Sequence, residues 1–401
     1  NRDMNTVKIC DNVYYVGVND RVTVKFENMW PLPCGVTYNS YVVAAEKTAL
    51  IDTCRDGFGE QYLQHVADII GEGKTIDYLI VNHMEPDHSG LIATIIEKYP
   101  NTKIVTNKTA VGMIKGFYHI SDEDRFMTIA NGAALDLGGV TLQFAMTPMV
   151  HWPETMMTYI PERKLLFSGD AFGCFGALNE QVIDSEIGNL DIYFEEMYRY
   201  YSNIVGKYGA SVTRALNSLA SLELDYICST HGPIWHSQIA KVVDTYARLA
   251  KWEPEDGVTI VYGTMYGNTR TLAEKMAEKI KEAGISPVKI HEAHFEDLSF
   301  MIRDAFRYRG LIIGSPTYSL TLFPPVAAFV RAMEVREIKN KVMSIFGSYA
   351  WVPAALKELD IIAANNKWNI ASKMTMNLAM SEKSEAELDS FIADFIDAYK
   401  Q

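Results

Sequence analysis

Leu79-Ile80-Val81-Asn82-His83-Met84-Glu85-Pro86-Asp87-His88-Ser89-Gly90 is the stretch from which the rest of the chain can be read. An apolar strand runs into four side chains of metal-ligating type within six positions, and a helical pattern follows. Pro86 is expected to keep the polar stretch extended rather than helical. Alternation then aims His83, Glu85 and Asp87 to one side, with His88 turning at the helix start. One ion cannot easily use four groups so close in sequence, whereas two adjacent ions can. A lone His or Asp after a strand is more often a turn or cap residue. Four together are different, because desolvating them unpaired would be costly.

Three more loops each follow an apolar strand and each offer one His or Asp. They are Val150-His151-Trp152-Pro153, Ser168-Gly169-Asp170 and Ser229-Thr230-His231-Gly232. The region around them is strand-rich up to about Asp52, then mixed. Strands are expected at Val13–Val18, Val22–Phe26, Tyr38–Ala44, Thr48–Ile51, Asp77–Val81, Lys103–Thr106, Thr141–Met146, Thr155–Ile160 and Lys164–Phe167. Helices are expected at Gly59–Ile70, Leu91–Lys98 and between Asp191 and Ala220. Such interleaving over 250 residues fits two stacked sheets covered by helices.

A seam falls at Lys251-Trp252-Glu253-Pro254-Glu255-Asp256-Gly257, short, charged and broken by Pro and Gly. It sets domains at residues 1–253 and 254–401. Beyond it, apolar strands at Val258–Tyr262, Val288–His291, Gly310–Gly314, Val342–Phe346 and Ile370–Met376 alternate with helices. This rhythm implies a doubly wound parallel sheet with ligand loops at the carboxyl ends of its strands. A last helix is expected near Ser384, which has capping-box spacing to Glu387.

The chain has 401 residues, 48% hydrophobic and 22% charged, as in an ordinary globular protein. Its net charge of −13 argues against nucleic acid or an anionic membrane as a main partner. No apolar run approaches a bilayer span, and Asn1-Arg2-Asp3-Met4-Asn5 lacks the apolar core of a signal peptide. The five cysteines are scattered and never spaced C-x-x-C, which excludes a zinc ribbon or a fused rubredoxin within these residues and favours a cytoplasmic setting.

In the second domain, Tyr262-Gly263-Thr264-Met265-Tyr266-Gly267-Asn268-Thr269-Arg270 joins the first strand to a helix. Backbone N–H groups and short hydroxyls there suit a phosphate. Thr269 alone would also serve as an ordinary cap. Two further loops reach the same sheet edge: Gly314-Ser315-Pro316-Thr317-Tyr318-Ser319 and Gly347-Ser348-Tyr349-Ala350-Trp351. Tyr318 and Trp351 could stack on a flat ring. A G-x-G-x-x-G fingerprint is lacking, which speaks against a dinucleotide.

The ligand turn resembles that of the metallo-β-lactamase-like superfamily, H-x-H-x-D-H, with Glu85 in place of the second His. The second domain resembles a flavodoxin, with Tyr266 in place of the middle small hydroxyl of the phosphate loop. Together they resemble the flavodiiron proteins, also called A-type flavoproteins. The fold implied is α/β: an N-terminal αββα metallo-β-lactamase-like sandwich followed by a C-terminal flavodoxin-like doubly wound parallel sheet.

That resemblance implies FMN and two iron ions per chain. One iron would take His83, Glu85 and His151, the other Asp87, His88 and His231, with Asp170 bridging. In some members the counterpart of His88 is displaced by water. Added carboxylate shifts preference from zinc toward iron or manganese. FMN would contact Thr264, Met265, Tyr266, Gly267, Asn268, Thr269, Ser315, Pro316, Thr317, Tyr318, Gly347, Ser348, Tyr349 and Trp351. Trp152 and the tyrosines Tyr198, Tyr200 and Tyr201 are candidates to lie behind the ligands.

The implied activity is reduction of dioxygen to water, of nitric oxide to nitrous oxide, or of both. Electrons would come from an external rubredoxin-like protein or reduced deazaflavin, within a head-to-tail homodimer or a dimer of dimers. Two alternatives compete: a zinc hydrolase of the lactamase-like class, and an electron carrier whose first domain holds metal only for structure.

Overall fold

The computed structural model of the protein describes residues 6–401. Asn1–Asn5, read above for a signal peptide, lie outside the described residues. The chain forms two compact units, one ending at Ala250 and the other spanning Lys251–Gln401.

The first unit holds two main sheets. The seven-stranded sheet runs, in spatial order, Val7–Cys10, Val13–Tyr15, Tyr41–Ala44, Thr48–Ile51, Tyr78–Ile80, Lys103–Thr106 and Phe126–Thr128. Its first four strands pair antiparallel and the rest parallel. The five-stranded sheet runs Ala134–Asp136, Thr141–Met146, Met156–Ile160, Leu165–Gly169 and Tyr226–Ser229. Only its last pair is parallel. Tyr41 of one sheet and Phe167 of the other meet with ring centroids 5.2 Å apart, and the Tyr41 hydroxyl donates to the Ser229 carbonyl. The parallel strands at Tyr78–Ile80, Leu165–Gly169 and Tyr226–Ser229 are buried almost throughout, which explains their unbroken apolar runs.

The expected strand Val22–Phe26 shrinks to a hairpin, Lys25–Phe26 against Trp30–Pro31. Val22 and Val24 project into solvent, so no core reinforces the local preference for a strand.

The second unit has a parallel sheet in the order Val288–Glu292, Glu255–Tyr262, Tyr308–Tyr318, Val342–Tyr349, Ile370–Asn377, with Thr321–Leu322 added antiparallel. Chain order 2-1-3-4-5 is the flavodoxin-type arrangement, with its switch point beside the first strand. Leu272, Met276 and Ile280 of the helix Asn268–Glu282 pack with Phe391 and Phe395 of the helix Glu382–Lys400 on one face of the sheet. The last helix starts earlier than expected: its cap is Ser381, and Ser384 is the third helical residue completing the capping box. Ser384 can return a bond to the Ser381 backbone, as a Glu does in the usual box, so the spacing to Glu387 was incidental. Among the described residues, no helix is long and apolar enough to cross a membrane.

Candidate metal centre

The ligand turn is fixed from below by Asp52. Its carboxylate accepts the Asn82 N–H at 2.9 Å and the His83 N–H at 3.4 Å where the strand Tyr78–Ile80 has ended. Pro86 does not keep the whole stretch extended. It is the first residue of a short helix, Pro86–Ser89, where its missing N–H is no loss. His83 and Glu85 therefore precede a helical turn that carries Asp87 and His88. This change of backbone, absent from the strand-alternation reading, divides the four side chains into two pairs.

Their donor atoms fall into two groups, each within 4.8 Å: His83, Glu85, His151 and Asp170 in one, and Asp87, His88 and His231 in the other. Asp170 faces both. Its Oδ2 lies 3.0 Å from His83 Nε2 and 3.1 Å from His151 Nε2, while Oδ1 lies 2.9 Å from His88 Nε2 and 3.6 Å from His231 Nε2. Glu85 Oε2 is 3.1 Å from His151 Nε2, and Asp87 Oδ2 is 3.2 Å and 3.3 Å from His88 and His231 Nε2.

The group fits a cation pair on its own chemistry. Both oxygens of Asp87 are shut off from water and receive no hydrogen-bond donor, and His88 Nδ1 is likewise buried without a partner. His88 and His231 direct Nε2 at one another at 3.1 Å. Burial pushes the Asp87 carboxyl up to about 8, and the negative Glu85 and Asp170 add to the rise against the pull of His88. Such groups are costly to hold without a shared positive charge.

Contacts behind these side chains orient them. His83 Nδ1 donates to Glu154 Oε1 at 2.7 Å, an oxygen that also accepts the Met84 N–H at 2.9 Å. His231 Nδ1 donates to the Thr37 carbonyl at 2.6 Å, and Thr230 Oγ1 donates to Asp170 Oδ1 at 2.5 Å. Each Nδ1–H bond leaves an Nε2 lone pair facing the centre. Glu154 escaped the sequence reading; its only signal was its place three residues after His151.

Trp152 packs on the centre, its ring 5.2 Å from His83 and 6.2 Å from His151. Tyr198 interacts with Arg248. Tyr200 takes the inner place, 5.4 Å from the His231 ring. Two residues turn a helix by about 200°, so Tyr198 and Tyr200 cannot face the same way. A pocket of ≈ 490 Å³ opens over Glu85 and Asp87, walled by Phe26, Glu27, Tyr38 and Arg55 among others. Burial, then the charge of Glu85, lifts the Glu27 carboxyl there to about 8.

At the second unit's sheet edge lies a pocket of ≈ 370 Å³. Ten of the expected flavin contacts line it: Thr264, Met265, Tyr266, Asn268, Thr269, Pro316, Thr317, Ser348, Tyr349 and Trp351. Gly267, Ser315, Tyr318 and Gly347 do not. Ser315 is buried, accepting the Phe323 N–H, and Tyr318 stands edge-on to Phe323. A Cβ on Gly347 would meet Leu356. Leu320, Val352 and Leu378 join the lining unannounced by any motif. Gly267, at φ +96°, leads into the helix Asn268–Glu282, which no side chain caps, so its first N–H groups remain available to an anion.

Residues 36–232 match the family model described as ODP family beta lactamase, and residues 260–388 match flavodoxin. An anaerobic nitric oxide reductase flavorubredoxin of Vibrio vulnificus is 33% identical over 359 residues, covering 88% of this chain and 72% of that protein. The chain belongs to the flavodiiron protein family. Solved structures agree: the rubredoxin oxygen:oxidoreductase of Desulfovibrio gigas superposes with a TM-score of 0.93 at 28% identity over 99% of each chain. The flavodiiron protein of Giardia intestinalis gives 0.91 at 25% identity over 100% of this chain and 98% of that one. The flavodiiron cofactor set, FMN and a pair of irons, suits the two sites: a phosphate loop on a flavodoxin sheet, and paired donor groups that share one carboxylate.

Metal uptake by this flavodiiron chain should depend on pH. Burial opposes protonation of His151, but hydrogen bonds with Asp170 and Glu85 outweigh it and lift the ring from 6.5 to about 9. In the metal-free protein that proton stabilises the fold below the unfolded value, and the gain is lost as pH rises through 9. A metal bound by His151 would have to displace it below pH 9, so affinity is expected to climb with pH across this range. Zinc titrations against a chelator between about pH 6.5 and 8.5 should show a rise of roughly tenfold per pH unit per proton displaced. A flat profile would contradict this assignment.

Proposed function

We propose that the protein reduces dioxygen to water, nitric oxide to nitrous oxide, or both, at a non-haem di-iron centre supplied with electrons through FMN. The observation that carries this reading is Asp170, one carboxylate facing two donor groups, in a chain that also has a flavodoxin unit. His83, Glu85 and His151 would hold one iron and Asp87, His88 and His231 the other, with Asp170 shared. Bound there, the irons and the flavin supply electron storage and delivery to a small gas.

The protein's own residues do the rest. Glu85 and Asp170 offset the metals' positive charge and keep them bound. Phe26, Tyr200 and Trp152 pack around the histidines and limit water. The pocket beneath Glu27 and Tyr38 gives a small molecule a way in.

The external donor would be a rubredoxin-like protein, consistent with the names of the Vibrio and Desulfovibrio relatives, or a reduced deazaflavin. The proposed assembly is a head-to-tail homodimer, alone or paired again, acting in the cytoplasm. Exposed Tyr266, Leu320, Trp351 and Leu378 around the flavin pocket, and exposed Val22, Val24 and Met29 by the hairpin next to the metal pocket, support a covered face on each unit. A zinc hydrolase is disfavoured by Glu85 and by the flavodoxin unit.

The test is metal and flavin analysis followed by turnover of both gases by the pre-reduced protein. Two irons and one FMN per chain with consumption of either gas are expected; zinc alone with hydrolytic activity would refute the reading. Sedimentation should give a dimer or tetramer, and an active monomer would rule out the proposed assembly.

A further inference from the structure

The two donor groups are not equivalent behind their ligands. Asp170 lies between them, its Oδ2 toward His83 and its Oδ1 toward His88, and each group adds one further carboxylate, Glu85 or Asp87. The difference lies one layer out. His83 is backed by the carboxylate of Glu154, which is wholly buried, whereas His231 is backed by the neutral carbonyl of Thr37 and His88 Nδ1 has no partner. An imidazole whose N–H is drawn toward a carboxylate is a stronger, more anionic donor. Anionic donors favour the more highly charged state of a metal.

Resting on the di-iron reading above, we propose that Glu154 is a positioning residue that makes the two metal positions unequal. It holds the iron on His83, Glu85 and His151 as the more strongly bound ferric site, so that the iron on Asp87, His88 and His231 takes the first electron. In that step one ferric ion is reduced by one electron from the external reductant, while the other stays ferric. Glu154 also accepts the Met84 N–H, so a neutral isostere at this position keeps the turn anchored while removing the charge.

The experiment uses full-length protein loaded with ⁵⁷Fe, titrated with dithionite and followed by Mössbauer spectroscopy, in wild type, Glu154→Gln and Glu154→Asp. Metal analysis comes first: a wild-type chain without two irons refutes the di-iron reading itself, and this inference with it. With two irons present, half-reduced wild type should show distinct ferrous and ferric components. Glu154→Gln should lose about tenfold of its ferric preference at one position, raising the lower midpoint potential by about 59 mV and bringing the two reduction steps together. Glu154→Asp, which keeps the charge, should restore part of the separation.

Valence-averaged irons in half-reduced wild type overturn the proposal, and so do two retained irons with unmoved potentials in Glu154→Gln. If Glu154→Gln fails to hold iron, the wild-type spectrum and the Glu154→Asp potentials decide. Separation kept wholly or in part in Glu154→Asp then supports the role of charge, and collapsed separation despite retained charge overturns it.

Discussion

Asp170→Ala should drop the iron content from two per chain to below one and abolish gas reduction. Among the described residues, Asp170 is the one carboxylate within 3.6 Å of all four histidine Nε2 atoms, and Thr230 holds it in place. Burial works against its ionisation, but His83 and His88 keep the carboxyl well below the usual range, so its charge is present at any pH of interest. Losing an outer partner of a metal ligand typically costs ~10–100-fold in affinity, and a shared ligand should cost at least the upper figure at both positions.

The metal-free fold should also suffer. Removing one member of a buried charge cluster costs about 3–5 kcal/mol. Asp170→Asn, which keeps the shape and the hydrogen bond but not the charge, should lie between wild type and Ala. Iron analysis and thermal unfolding read both effects, with FMN content as a check on the second unit. Full iron occupancy in Asp170→Ala would refute the bridging role.

Asn268→Glu should reduce FMN affinity by roughly 100-fold, equivalent to about 2.7 kcal/mol, without harming the fold. Asn268 is the first residue of the helix Asn268–Glu282, exposed, and part of the pocket lining. A carboxylate there competes with the phosphate for the same N–H groups and repels it. The helix itself should gain slightly, because an acidic side chain at a helix N-terminus is favourable by about 0.3–1 kcal/mol. Fluorescence titration with FMN, set beside thermal unfolding of the apoprotein, separates the two effects. Unchanged affinity would show that the phosphate does not sit on this loop.

Much of this was legible in the chain. Buried parallel strands such as Gly310–Gly314 announce themselves as unbroken apolar runs, because both faces are covered. The helix Gly59–Ile70 and the strands Thr48–Ile51 and Lys103–Thr106 coincide with their expected bounds. Errors gathered where local preference met an unforeseen environment. Val22–Phe26 alternates like a strand, but only Lys25–Phe26 finds a partner, in a two-residue hairpin. Pro86 opens a helix instead of preventing one. Ser384 serves the cap of Ser381 rather than being the cap.

Short-range chemistry encodes the features that can be read along the chain. That covers two α/β units, a clustered ligand turn after a strand and a hydroxyl-rich loop before a helix, each a pattern within about a dozen residues. Packing between distant segments sets which donors stand together and what stands behind them. His83 meets Glu154 across 71 positions and His88 meets His231 across 143, contacts set by how separate strands lie in register. Tyr200 meets the His231 ring because of the rotational phase of its helix. Sequence patterns record which face of an element is apolar; they do not record its rotation or register against a distant partner, and those depend on the packed core as a whole.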